Sequence, residues 1–146
     1  MKSNVNEVLR CAILACLMIG IASAQNHTCT RDEAIRAEMS TDNLKSWNSV
    51  HAFYKEFSHC DDGSISEGIS DKVAKLLANH WEQFREFVKL ASDDKAFGEF
   101  VLRHVDETID WSHDAPKINE NARLHCPSNS ARLCRSLIKR TTPETR

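Results

Sequence analysis

Phe97, Phe100, Val101, His104, Val105 and Thr108 fall at i, i+3, i+4, i+7, i+8 and i+11. That spacing lays apolar side chains along one face of an α-helix. Ser92-Asp93-Asp94 stands just ahead of the run. It offers a capping side chain and places negative charge where the helix dipole favours it. No segment alternates apolar and polar residues for long, so strand signal is nearly absent. A chain patterned this way must bury helix faces against helix faces.

The same pattern recurs along the chain. Thr30-Arg31-Asp32-Glu33 is a capping box for a short helix reaching about Met39. Ser40, Thr41 or Asp42 can cap a second, with Leu44, Trp47, Val50, Tyr54 and Phe57 inward. Gly63 follows, where a left-handed residue is expected past a helix end. Ser66 or Ser70 caps a third helix bearing Val73, Leu76, Leu77 and His80 on one side. Phe84, Phe87, Val88 and Ala91 restart the pattern after Trp81. Pro116 reads as a first-turn proline after Asp114, with Ile118, Ala122 and His125 or Cys126 following. Ser130 or Asn129 opens a last helix with Leu133, Leu137 and Ile138 inward. The expected fold is all-α, a compact bundle of six or seven short helices. Trp47, Trp81 and Trp111 are expected in its core and rim.

The first residues carry a different signal. Lys2 and Arg10 precede an apolar run from Cys11 to Ile21, and Ala22-Ser23-Ala24 follows. This is the layout of a secretory signal peptide spanning residues 1–24. The apolar run of 11 residues is too short to cross a bilayer, which takes roughly 20, so no stable membrane anchor is expected. Residues 25–140 are read as a single helical domain and 141–146 as a frayed tail. Asn26-His27-Thr28 is a glycosylation sequon in a eukaryotic secretory pathway. The chain is expected to be exported, to the periplasm or the extracellular space.

Export gives the cysteines their meaning. Cys29, Cys60, Cys126 and Cys134 lie beyond the leader, at spacings of 31, 66 and 8. Zinc favours close pairs such as C-x-x-C. An even count in an oxidising compartment reads as two disulfides, with three pairings open. The first two predicted helices form a hairpin that Cys29 begins and Cys60 ends, and Cys126 and Cys134 flank the last turn. The favoured pairing is therefore Cys29–Cys60 and Cys126–Cys134.

Charge excludes one class of partner. The full chain has 19 basic and 21 acidic residues. Removing Lys2, Arg10 and Glu7 with the leader leaves 17 and 20. A net negative chain with no basic stripe is not built to bind nucleic acid.

The stretch HCDDGSISEGISD, residues 59–71, resembles a calcium loop when Gly63 takes the sixth position. Positions one, three and twelve are then Ser58, Cys60 and Ile69, where the site needs carboxylates at the first and last. A turn between two helices explains the same letters, since Asp and Gly are favoured there. The acidic cluster Asp61, Asp62, Glu67 and Asp71 reads as a solvated turn before it reads as catalytic carboxylates. His59 beside Cys60 suggests a Cys–His pair, but neighbouring residues usually point apart and a disulfide removes the thiolate. His80, His104 and His125 lie near inward faces, more in keeping with core histidines than with a metal site. No catalytic residue, metal or cofactor is expected.

CDDGSISEGISDKVAKLLANHW, continuing to DDKAFGEFVLRHVDETID, resembles small exported, all-helical, disulfide-containing proteins of Gram-negative bacteria, over roughly residues 44–134. The resemblance implies the fold class and the disulfides, and no function. Size, export and helical layout are also similar to periplasmic immunity proteins that neutralise secreted toxins. The function expected is a non-enzymatic module that binds another protein. One alternative is a carrier of a small apolar ligand. The other is a small hydrolase using the acidic loop or an inward histidine.

Overall fold

The computed structural model describes residues 28–106 and 108–143. The predicted leader, residue Asn26 of the sequon and the last three residues lie outside the described part. Seven α-helices and no strand are present among the described residues. They are α1 (Arg31–Thr41), α2 (Trp47–Phe57), α3 (Gly63–Asn79), α4 (Phe84–Asp93), α5 (Lys95–Arg103), α6 (Asp114–Leu124) and α7 (Ala131–Arg140). Tight 3-10 turns at Ser58–Cys60 and Trp81–Gln83 join α2 to α3 and α3 to α4. Among the described residues no helix is long and apolar enough to cross a membrane.

The helix starts follow from short polar side chains. Thr30 and Glu33 form the expected reciprocal capping box on α1. α2 is capped by Ser46, which accepts from the Ser49 amide, and not by Ser40, Thr41 or Asp42. Residues 40–42 instead close the end of α1, and Leu44 lies in the loop yet is buried. α3 also starts earlier than expected. Asp62 caps it by accepting from the Gly63 amide at 2.8 Å, and Ser66 and Ser70 lie inside the helix. Gly63 has φ +53°, a conformation that costs other residues roughly 1–2 kcal/mol. Nothing lies within 4 Å of the place a Cβ would occupy there, so backbone geometry alone requires glycine.

The apolar spacing into residue 108 overstates α5. That helix ends at Arg103, and His104 closes it by donating its backbone N–H to the Val101 carbonyl. Val105 and Ile109 are buried all the same. Apolar residues buried beyond a helix end mimic the helical period.

One core cluster joins all seven helices. Trp47, Phe84, Phe87, Phe97 and Phe100 are fully buried within it, each burial worth roughly 1.5–3 kcal/mol. Their rings form a chain through the molecule. Trp81 stacks on Phe84 with centroids 4.0 Å apart. Phe87 meets Trp47 at 4.7 Å and Phe97 at 6.0 Å. Tyr54 bridges Phe97 and Phe100, and Phe100 meets the His104 ring edge at 4.6 Å. Trp111 is exposed at the rim.

α3 runs through the middle, packed by α1 and α6, while α4 and α5 fold side by side and α4 rests on α2. Asp94 is the single residue between α4 and α5. Its Oδ1 accepts from the Phe97 amide at 3.1 Å, and its Oδ2 lies 3.4 Å from both His51 and Lys55 of α2. Gly98 lets the pair close: a Cβ there would stand 3.1 Å from that of Ala91. Asn121 of α6 donates to the Leu77 and Ala78 carbonyls at the end of α3, two groups no helix can satisfy internally.

The disulfides pair Cys29 with Cys60 and Cys126 with Cys134, with Cα–Cα distances of 5.0 and 6.1 Å. The first ties the entrance of α1 to the exit of α2. The second ties the end of α6 to α7. The tail expected to fray from residue 141 is held at its start. Thr141 is 4% exposed, accepts from Asn119 at 3.0 Å and donates to the Leu137 carbonyl at 2.8 Å. Its hydroxyl completes the last turn of α7, which is why it packs where a polar residue is expected to loosen.

Candidate functional site

The acidic loop does not act as one cluster. Asp62 is spent on the cap of α3, Glu67 is exposed, and Asp71 pairs with Lys72 and Lys75 along its own helix. Asp61 turns inward. The histidines separate in the same way, since His80 and His125 are exposed and His104 is buried. Three inward histidines are therefore not gathered, and the metal site they could have formed is absent among the described residues.

Asp61 and His104 meet. His104 Nε2 lies 3.3 Å from Asp61 Oδ2, and His104 Nδ1 lies 3.0 Å from Ser70 Oγ. The ring thus faces the serine hydroxyl through Nδ1 and the carboxylate through Nε2. Burial would raise the Asp61 pKa. The hydrogen bond and charge of His104, aided by Ser66 and Arg103, outweigh it and hold the carboxyl below its ordinary value. The three residues come from the loop before α3, from the middle of α3 and from the end of α5, so the network pins three elements together.

A serine, a histidine and an aspartate in hydrogen-bonding order invite comparison with nucleophilic hydrolases. The surroundings decide against a working nucleophile. Ser70 is 1% exposed and His104 2%, Phe100 covers the ring, and none of the three surface grooves described next is lined by Ser70 or His104. Ser70 Oγ is therefore closed off from these three grooves. The Ser70 hydroxyl satisfies His104 Nδ1, while His104 Nε2 and Asp61 Oδ1 lie buried without a hydrogen-bond partner among the described residues, so the Asp61–His104 contact is chiefly electrostatic.

The open grooves formed by the described residues include three. One of about 370 Å³ lies between α4–α5 and α7, floored by Val88, Ala91, Leu102 and Leu133 and rimmed by Lys95 and Arg132. One of about 340 Å³ runs beside Trp111, Pro116 and Pro143. One of about 360 Å³ sits over Leu44 and Leu76, walled by Lys45, Lys72, Lys75 and His80.

A second cluster stands at the Cys29–Cys60 disulfide. Ligand atoms of Glu33, His59 and Cys60 lie within 4.8 Å of one another, with His59 Nε2 3.5 Å from Glu33 Oε1. Neighbours in sequence, His59 and Cys60 were expected to point apart. The 3-10 turn that carries both brings their ends to one corner. With Cys60 in a disulfide its sulfur is no metal ligand, so in the oxidised protein the corner is a histidine–carboxylate contact beside a covalent staple. The sequence shows His59 and Cys60 as neighbours, but nothing in it shows that Glu33 of the first capping box reaches them.

Sequence spacing also missed the outward side of α1. Ala37 and Thr41 face the core. Ile35 and Met39, one turn apart, are 46% and 69% exposed. No protein-family model, curated protein or solved structure matches this chain.

Proposed function

We propose that the chain is an exported protein that acts by binding another protein, and that the outer face of α1 is where it binds. The observation that carries this reading is the solvent-facing pair Ile35 and Met39. α1 carries two large apolar side chains that point away from the core, where α6 carries one, Leu124. Arg31, Asp32, Arg36 and Glu38 of the same helix and Asp42 at its end are exposed around the pair. An apolar centre with a charged rim is the anatomy of a protein interface, and methionine adapts to a partner's shape. Export is supported by the leader-like first 24 residues and by the two disulfides, which persist in oxidising compartments. The resemblance to small exported helical proteins points the same way.

The test is affinity capture from an extracytoplasmic fraction with the purified chain and with the I35D/M39D double variant. Both positions are exposed, so the variant keeps its melting transition within about 0.5 kcal/mol. The expected result is a partner retained in stoichiometric amount by the wild type and lost by the variant. Equal capture by both proteins, or capture by neither, sinks the reading.

The groove between α4–α5 and α7 favours a second reading, carriage of a small apolar ligand. Its apolar floor suits a small apolar ligand, and its rim carries both Lys95 and the Arg132–Glu99 ion pair. Native mass spectrometry of the chain taken from its source decides this: a bound small molecule supports carriage, and a bare chain removes it.

A further inference from the structure

The Glu33–His59–Cys60 corner has a property that the oxidised state conceals. Its fourth member is Cys29, whose Sγ is bonded to that of Cys60. Glu33, His59 and Cys60 bring a carboxylate oxygen, an imidazole nitrogen and a sulfur within 4.8 Å of one another, and the bond to Cys60 holds the second sulfur next to the first. That is a donor set of the type zinc takes in tetrahedral sites, with soft thiolate and borderline imidazole ligands. We propose that this corner is a redox-gated zinc site, closed as a disulfide under oxidising conditions and able to hold Zn²⁺ when Cys29 and Cys60 are reduced.

Three observations carry the proposal. First, the Glu33, His59 and Cys60 ligand atoms are already gathered, within 4.8 Å, by elements that the fold fixes for other reasons. Glu33 sits in the first turn of α1, and His59 and Cys60 share the 3-10 turn after α2. Second, the carboxylate is oriented. Glu33 Oε2 accepts from the Thr30 amide at 2.9 Å and from its hydroxyl at 2.7 Å, which turns Oε1 toward His59. Such outer partners are what set the direction of a metal ligand. Third, the corner is sheltered. Cys60 is buried, and the His59 and Glu33 side chains keep only 24% and 19% of their exposure.

The other disulfide supplies the contrast. Cys126 and Cys134 have the Ser130 hydroxyl within 3.7 and 3.9 Å and no imidazole or carboxylate in a comparable cluster. Among the described residues the Glu33–His59–Cys60 group stands alone in this respect.

The chemistry balances. A dithiol reductant supplies two electrons and two protons. The Cys29–Cys60 bond breaks, two thiols form, and the reductant becomes a disulfide. Zn²⁺ then displaces one proton from each thiol as two Zn–S bonds form. Zn–S bonds of about 2.3 Å in a tetrahedron hold the sulfurs about 3.7 Å apart, so the two Sγ atoms move by less than a bond length each.

The experiment uses the full chain and Co²⁺, then Zn²⁺, as probes. A phosphine reductant opens the disulfides without offering sulfur to the metal. The expected result is one Co²⁺ per reduced chain, with the absorption of a tetrahedral site and a sulfur-to-cobalt charge-transfer band. Zn²⁺ displaces it, and the oxidised chain binds none. C126S/C134S retains the site and C29S/C60S abolishes it. H59A and E33Q weaken it by more than about tenfold. Circular dichroism is read alongside. If reduction loosens the fold, Zn²⁺ restores it in the wild type and does so poorly in H59A. Binding that survives in C29S/C60S, or that H59A and E33Q leave unchanged, overturns the proposal, because it would then be capture by any exposed thiol pair. So would the absence of binding by the reduced chain.

Discussion

The two disulfides do one job by different means. Cys29–Cys60 closes a stretch of 31 residues containing α1 and α2. Cys126–Cys134 closes 8 residues around a turn. Titratable side chains surround the first, and a serine hydroxyl and carbonyl groups surround the second. The long closure removes more freedom from the unfolded chain. In the chain-entropy treatment it is worth about 3.7 kcal/mol, against about 2.5 kcal/mol for the short one. The difference separates a bond that holds two helices in register from one that holds a turn which Ser130 also fastens.

The largest expected effect tests that ranking. Urea denaturation of C29A/C60A should show a loss of about 3.7 kcal/mol, and of C126A/C134A about 2.5 kcal/mol. Equal losses, or the reverse order, would break the comparison and place the stabilisation in native contacts around the sulfurs. A smaller effect sharpens the short-loop side. Ser130 is buried and donates to the Pro127 carbonyl at 2.8 Å. Ser130→Ala should cost about 1 kcal/mol, by the same amount at every pH, since no titrating group lies in that contact. A pH-dependent cost would mean that the second end is not the uncharged one.

The smallest effect concerns the charged end, one residue beyond Cys60. The Asp61 carboxyl is held below its ordinary pKa, so the folded chain binds that proton less tightly than the unfolded one. The stability this gives is present above the unfolded carboxylate pKa of about 3.9. It is lost as pH falls through the lower folded value. The stability gap between wild type and Asp61→Asn should be level above about pH 5 and shrink toward acid. A gap that stays level to pH 2 would sever Asp61 from His104.

Much of the fold is legible in the residues. The 3.6-residue spacing of Phe97, Phe100 and Val101 marks α5, and Thr30 with Glu33 marks the start of α1, because periodicity and caps are local. The pairing of the cysteines follows from the hairpin between them. Helix ends are less legible. Val105 keeps the helical spacing after α5 has stopped, and Ser70 looks like a cap while lying buried in α3. In both cases tertiary burial sets the residue type and local propensity does not. The sites are the least legible. Asp61 and His104 are 43 positions apart, and only the fold brings the turn before α3 to the end of α5. Glu33 reads as a capping residue and nothing else until the fold returns His59 to its side.

The single-residue joint at Asp94 has a consequence for the order of assembly. α4 and α5 need almost no chain to be closed before their faces touch at Ala91 and Gly98, and loop-closure entropy grows with the length closed. By that measure this hairpin is the tertiary contact of least contact order among the helix pairs, the kind that forms early on a folding route. The closure of α1 against the exit of α2 spans three helical lengths of chain by comparison, and the sulfur bond there then records an encounter that the short hairpin did not have to wait for.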